Sequence, residues 1–194
     1  MPMGGTMTMA TRSRTSIRRR LQHGGLRGHF LGLLLRLRLP RAGVLTVMGG
    51  WHIPEIDNRG GDIQVGSCGF FPGARLECWR GAQIRIGDGT YLNRNTEIVA
   101  ARSVTIGRDC QIGRDVLIMD TDQHALPGRE IVIDPVVIED RVWIGARAII
   151  LKGVRIGHDT VIGAGAIVTR DLPPLSVAVG QPARVLRTLN TTER

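Results

Sequence analysis

A chain of 194 residues with 42% hydrophobic content, only 4% aromatics and 26 glycines suits small turns and aliphatic strands better than a helical bundle. The net charge of +9 is local: residues 1–41 hold nine arginines and no Asp or Glu, and the remainder balances 17 basic against 17 acidic residues. That placement argues against a nucleic-acid reader, whose basic residues would sit on the folded domain among aromatics. Cys68, Cys78 and Cys110 form no CxxC pair, which argues against a disulfide framework or a Cys-based zinc site and points to a reducing cytosol.

Residues 1–16 are rich in Met, Thr and Ser without apolar periodicity, and are predicted to be a disordered tail. The arm that follows, 17–60, opens basic and apolar, with Arg18-Arg19-Arg20-Leu21 and then Phe30-Leu31-Gly32-Leu33-Leu34-Leu35-Arg36-Leu37-Arg38-Leu39-Pro40. Its apolar run is far short of the ~20 residues that span a bilayer, and no small-residue cleavage site follows it. Two readings stand. Segment 17–41 is a helix lying on an anionic membrane surface, Leu inserted and Arg at the headgroups. Or its Leu face packs on the domain and the arginines are solvated. Both can hold together.

The rest of the chain is a repeat. An aliphatic residue returns every six positions at Ile138, Ile144, Ile150, Ile156, Ile162 and Val168, usually followed by a small or acidic residue. A second run reads Ile86, Leu92, Ile98; after a two-residue slip a third reads Ile106, Ile112, Ile118. A period of six matches neither the 3.6 of a helix nor the alternation of a long strand. One short strand and one corner per six residues account for it, three such units closing a triangular coil. The aliphatic residues then stack inward, and Gly or Asn take the corners. The predicted fold is all-β, a parallel β-helix over 61–172 with a loop at 119–132 and a C-terminal tail at 173–194.

From Pro135 to Arg187 the sequence PVVIEDRVWIGARAIILKGVRIGHDTVIGAGAIVTRDLPPLSVAVGQPARVLR resembles the hexapeptide-repeat acyltransferases, especially galactoside, maltose and polysaccharide O-acetyltransferases. The likeness extends back to about Gly61. It implies a left-handed β-helix, a homotrimer with sites between neighbouring subunits, and acyl-CoA as co-substrate (acetyl-CoA or succinyl-CoA) with no permanently bound cofactor or metal.

The hexads break after Ile118, and Met119 to Val132 read MDTDQHALPGREIV. An insertion on a rigid solenoid is where function tends to sit. Its one histidine, His124, has a ring suited to taking a hydroxyl proton near neutral pH, and the resemblance places a catalytic histidine in a matching loop. A solvated loop histidine is the plain alternative. Asp120 or Asp122 could orient the ring by accepting from its other nitrogen; both could equally be solvated carboxylates. By resemblance Asn93 contacts the acceptor near the reaction centre; its rival role, shared with Asn95, is a left-handed corner. Trp143 precedes an inward Ile, so it should face outward and offer a surface to substrate, pantetheine or a neighbour. Ala146 stands where many relatives have Ser, leaving only its backbone N–H to hold a thioester oxygen. By matching position Ala164, Thr169 and Arg170 would flank the pantetheine arm, with Gly180, Arg184 and Arg187 nearer the nucleotide. Lys152 is a further candidate phosphate contact.

γ-Class carbonic anhydrases share the β-helix but need three metal-binding histidines; His23, His29, His52, His124 and His158 lack that spacing. A non-catalytic scaffold or membrane-recruited binding protein is the other alternative. The acceptor expected of the enzyme is a saccharide, polysaccharide or glycolipid hydroxyl, with serine or another small molecule left open. Usage of 25 Arg to one Lys fits a bacterium with a GC-rich genome. The expected place is the cytoplasm or the inner face of the plasma membrane.

Overall fold

The computed structural model describes residues 25–49, 52–125 and 127–190. The predicted disordered tail, 1–16, and the Arg18–Arg20 cluster lie outside the described residues. Helix α1 (Gly25–Arg36) is followed by successive coils of three strands. The first coil is β1 (Thr46–Val47), β2 (Glu55–Asn58) and β3 (Asp62–Val65). The second is β4 (Gly69–Phe70), β5 (Arg75–Cys78) and β6 (Gln83–Ile86); the third is β7 (Tyr91–Leu92), β8 (Glu97–Ala100) and β9 (Ser103–Ile106). The fourth holds β10 (Gln111–Ile112), β11 (Leu117–Met119) and, after the long loop, β12 (Val136–Ile138). The fifth is β13 (Trp143–Ile144), β14 (Ile149–Ile150) and β15 (Arg155–Ile156), and the sixth opens with β16 (Val161–Ile162) and β17 (Ile167–Val168). Then β18 (Ser176–Gly180) stacks on β16, and β19 (Ala183–Thr188) folds back antiparallel to it.

The coils stack in parallel into three walls. The first wall is β1-β4-β7-β10-β13-β16-β18-β19, the second β2-β5-β8-β11-β14-β17, and the third β3-β6-β9-β12-β15. The six-residue period is visible in the burial. All the repeat aliphatics, from Ile86 to Val168, are buried, together with Val142, Ala148, Val154 and Ala166 two positions ahead of their partners. Each hexad thus sends two side chains inward and one outward, so that every coil buries its apolar residues against the coils above and below. The slip between Ile98 and Ile106 has a simple cause: β8 and β9 are four residues long, so the third coil is wider than those after it.

The corners differ from the Gly/Asn expectation. Asp109, Asp115, Arg141, Arg147 and Asp159 also stand at positive φ, as does Asn95. The backbone N–H of each of these five donates to a corner carbonyl of the coil before, for example Arg147 N–H to Arg114 O at 2.9 Å and Arg141 N–H to Arg108 O at 2.8 Å. Those bonds offset the cost of a left-handed non-glycine residue.

The solenoid also reaches further than the expected 61–172. Paired strands begin at Thr46, inside the segment read as an arm, and continue through Gly180, inside the segment read as a tail. Residues 46–58 lack the hexad signature, yet their strands hydrogen-bond the second coil in register.

Helix α1 closes the open end. In β1 the N–H groups of Thr46 and Met48 donate to the second coil. The alternate carbonyls, Leu45 and Val47, therefore point away from it. Gly28 and Gly32 lie on those carbonyls: a Cβ on Gly28 would come 2.5 Å from Val47 O, and one on Gly32 would overlap Leu45 O. Only glycine lets the helix sit there, and it covers an edge that would otherwise template pairing. Leu31 and Leu35 are buried, and Leu35 and Leu39 join the core.

Candidate active site

The loop between β11 and β12 is pinned at its base and open at its tip. Asp134 N–H donates to Asp120 O at 2.9 Å, Asp122 N–H to Val132 O at 3.2 Å, and Thr121 bridges Ile133 in antiparallel fashion. Beyond this base the chain turns through Gln123, at positive φ, and presents His124 exposed. The backbone N–H of His124 donates to Asp122 O at 2.7 Å. Among the described residues its ring makes no hydrogen bond.

Neither carboxylate expected to orient the ring is engaged with it. Asp120 is fully buried, and its carboxylate accepts from the backbone N–H groups of Ala101, Arg102 and Ser103 at 2.6–2.7 Å. It is a staple that ties the loop's first residue to the corner between β8 and β9, with three of its four or so acceptor sites taken and the group buried away from the exposed ring. The Asp122 carboxylate takes Lys152 Nζ at 2.5 Å instead. That pair gives Lys152 a partner within the loop beside the phosphate contact expected from the sequence. The sequence carried one unread signal here. Lys152 is the single lysine among 26 basic residues, and it falls at the same corner as the loop, one coil later.

The other candidates divide between two corners. At the corner joining the first and second walls, register aligns Leu92, Ile112, Ile144 and Ile162. Asn93 follows Leu92 there, Ala146 and Ala164 lie two beyond Ile144 and Ile162, and Gly180 lies two beyond Ala178 in the next layer. At the corner joining the second and third walls, Ile118, Ile150 and Val168 align. There stand the His124 loop, Lys152 and, one coil on, exposed Thr169 and Arg170. A wall therefore separates Asn93 and Ala146 from His124 within one chain. Arg184 and Arg187 extend from β19 along the outer edge of the first wall.

The rival roles of the two asparagines also separate. Asn95 takes the left-handed corner at φ 54°, and its side-chain amide donates to Asp115 at 3.0 Å. Asn93 is not at positive φ; its Oδ1 accepts from Arg94 N–H at 2.8 Å, and among the described residues its amide nitrogen has no acceptor. Trp143 does face outward, 52% exposed, between Gln111 and Val161. The N–H of Ala146 donates to nothing among the described residues. A Cβ on Gly113 would come 2.7 Å from that nitrogen, so glycine there keeps the N–H approachable.

Comparison with known proteins fits this geometry. Residues 135–170 match the family described as the hexapeptide repeat of succinyl-transferase. The chain is 42% identical over 118 residues to a galactoside O-acetyltransferase of Escherichia coli, covering 59% of this chain and 58% of that one. It is 33% identical over 131 residues to the putative lipopolysaccharide biosynthesis O-acetyl transferase WbbJ of Escherichia coli, covering 61% of this chain and 67% of that one. Over 93% of its length it superposes on a hexapeptide-repeat acetyltransferase of Vibrio cholerae solved with acetyl coenzyme A, covering 91% of that chain at 28% identity with a TM-score of 0.59. The chain spans little more than half the length of the curated relatives it first matches.

Proposed function

Because this chain belongs to the hexapeptide-repeat, left-handed β-helix acetyltransferases, we propose that it moves an acetyl group from acetyl-CoA to a saccharide hydroxyl, with His124 as general base. His124 takes the hydroxyl proton as the oxygen attacks the thioester carbon, and the tetrahedral oxyanion collapses to the ester. The imidazolium then returns the proton to the leaving CoA thiolate. Asn93, whose amide is uncommitted, orients the hydroxyl, and the Ala146 N–H receives the developing oxyanion. Ala164, Thr169 and Arg170 flank the pantetheine arm, with Trp143 offering it a surface, and Gly180, Arg184 and Arg187 lie toward the nucleotide and its phosphates.

The observation that carries this reading is the division between corners. A base at one corner and the oxyanion and acceptor groups at another meet only when a second chain packs against the first. The outward ladders support such packing. In coils four to six the second wall presents Leu117, Ile149 and Ile167, and the first wall presents Gln111, Trp143 and Val161, followed by Val177 in the next layer. The third wall presents Thr105, Val137 and Arg155 and is the more polar face. We therefore place the subunit contacts of a homotrimer on the first two walls. The relatives named for galactoside and lipopolysaccharide suggest a glycan acceptor near the membrane, reached from the cytoplasmic side. Among the described residues no helix is long and apolar enough to cross a membrane.

The test is thiol release from acetyl-CoA in the presence of candidate glycans, with mass spectrometry of the products. The expected result is an acetylated sugar that disappears with His124→Ala. Release no faster than background, unchanged by His124→Ala, would favour a scaffold.

A further inference from the structure

Helix α1 has two apolar faces. Gly28, Leu31, Gly32 and Leu35 are buried on the end of the solenoid. At about 100° per residue, Leu26, Phe30, Leu33 and Leu37 form a stripe on the opposite side. They are 94%, 59%, 60% and 81% exposed. The turn after the helix continues it, since Leu37 and Arg38 N–H donate to Leu34 and Leu35 carbonyls. Arg36 flanks the stripe on one side and Arg38 on the other. The first acidic residue of the whole chain is Glu55.

We propose that this outward face docks on an anionic lipid bilayer, with the solenoid standing end-on. The apolar stripe supplies insertion depth, and the guanidinium rims meet the headgroup phosphates. The charge pattern selects the occupant. Two copies packed face to face through this stripe would bring Arg36 and Arg38 of both copies together, which like-charge repulsion opposes. An anionic surface neutralises the same rims. The helix rises only about 18 Å along its axis, so it lies in the interface.

The orientation follows from the carbonyl pattern of β1. Since α1 caps the end of the stack, its outer face looks along the solenoid axis, away from the coils. The His124 loop leaves the fourth coil, three steps of roughly 4.8 Å beyond the first, and the helix adds about 10 Å more. A hydroxyl on the outer sugars of a lipid-linked glycan comes level with His124; one beside the acyl chains does not. This consequence for the acceptor rests on the acyl-transfer reading, whereas the docking does not.

The experiment is flotation of the full chain, without acetyl-CoA, on vesicles of phosphatidylglycerol and phosphatidylcholine and on phosphatidylcholine alone. Binding at least tenfold stronger to the anionic vesicles is expected, weakened by salt. Leu33→Ser with Leu37→Ser should cost at least tenfold more while circular dichroism and thermal melting stay unchanged, because both side chains are exposed. Arg36→Gln with Arg38→Gln should reduce binding and its salt dependence. The proposal is overturned by absence of binding, or by binding that the Leu33/Leu37 change leaves intact, which would assign it to the arginines of 1–24. It is equally overturned if that change alters the oligomer's size and no lipid is bound, which would make the face a contact between copies.

Discussion

The two corners that carry candidate chemistry are built differently. At the corner of Asn93 and Ala146 coils three to six follow the same rule: four residues between strands, a left-handed position, and its N–H bonded to the coil before. At the corner of His124 the rule is suspended for one turn. The chain leaves at Asp120 and returns at Asp134, pinned at its base as far as Asp122 and Val132. Regular stacking gives the first corner rigid, exposed backbone groups, suited to holding a charge as it develops. Interruption gives the second a side chain free to meet a proton. In the proposed reaction neither corner is a site alone.

Changes at the two corners should therefore fail in different ways. His124→Ala is expected to lower kcat by about a thousandfold with little change in folding, read from initial rates and melting temperature. Loss of the same size from Gln123→Ala, with His124→Ala nearly neutral, would move the base elsewhere. Asp120→Ala strips the buried acceptor from three partly buried N–H groups and should cost about 3 kcal/mol of stability, read by urea unfolding. At the other corner Asn95→Gly should cost almost nothing, since its φ suits glycine.

The next effect is smaller. Asp122 holds His124 through its backbone carbonyl and Lys152 through its carboxylate, so in the proposed reaction Lys152 is a positioning residue. Lys152→Met should lower kcat roughly tenfold with KM for acetyl-CoA unchanged, and Lys152→Arg should restore most of it. A rise in KM alone would return Lys152 to phosphate binding.

The weakest effect lies in the buried cysteines, Cys78 on the second wall and Cys68 and Cys110 at the corner joining the third wall to the first. Burial pushes the thiols of Cys68 and Cys110 up to about 12 and that of Cys78 up to about 11. Unfolding exposes thiols that ionise near their ordinary value of 9.0, so the buried neutral form contributes stability fully below that pH. The contribution fades as pH climbs from 9 towards 12. The urea midpoint should accordingly fall between pH 8 and 10, and the fall should shrink in a triple Cys→Ala variant.

How far the sequence revealed these features depends on what each one rests on. The coils from Ile86 to Val168 were legible because one side chain per hexad must be apolar, and that period survives without coordinates. The first coil was not, because Thr46–Val47 and Glu55–Asn58 earn their place by pairing with neighbours instead of by repeating. His124 was legible as the imidazole in the break. The partners of Asp120 and Asp122 were not, since they come from Ala101–Ser103 and Lys152, distant in sequence and adjacent only through stacking. Helix α1 gave an ambiguous signal because both of its faces are apolar, and each of the two readings described one of them.

The most direct test of a site shared between chains is subunit mixing. His124→Ala and Asn93→Ala chains, each crippled, would be unfolded together, refolded in equal amounts and assayed for acetyl transfer. If each site takes His124 from one chain and Asn93 from its neighbour, about one quarter of the sites in random trimers regain both residues, and activity rises well above the mean of the two parents. Activity that stays at that mean would place both residues' work within one chain and contradict the account.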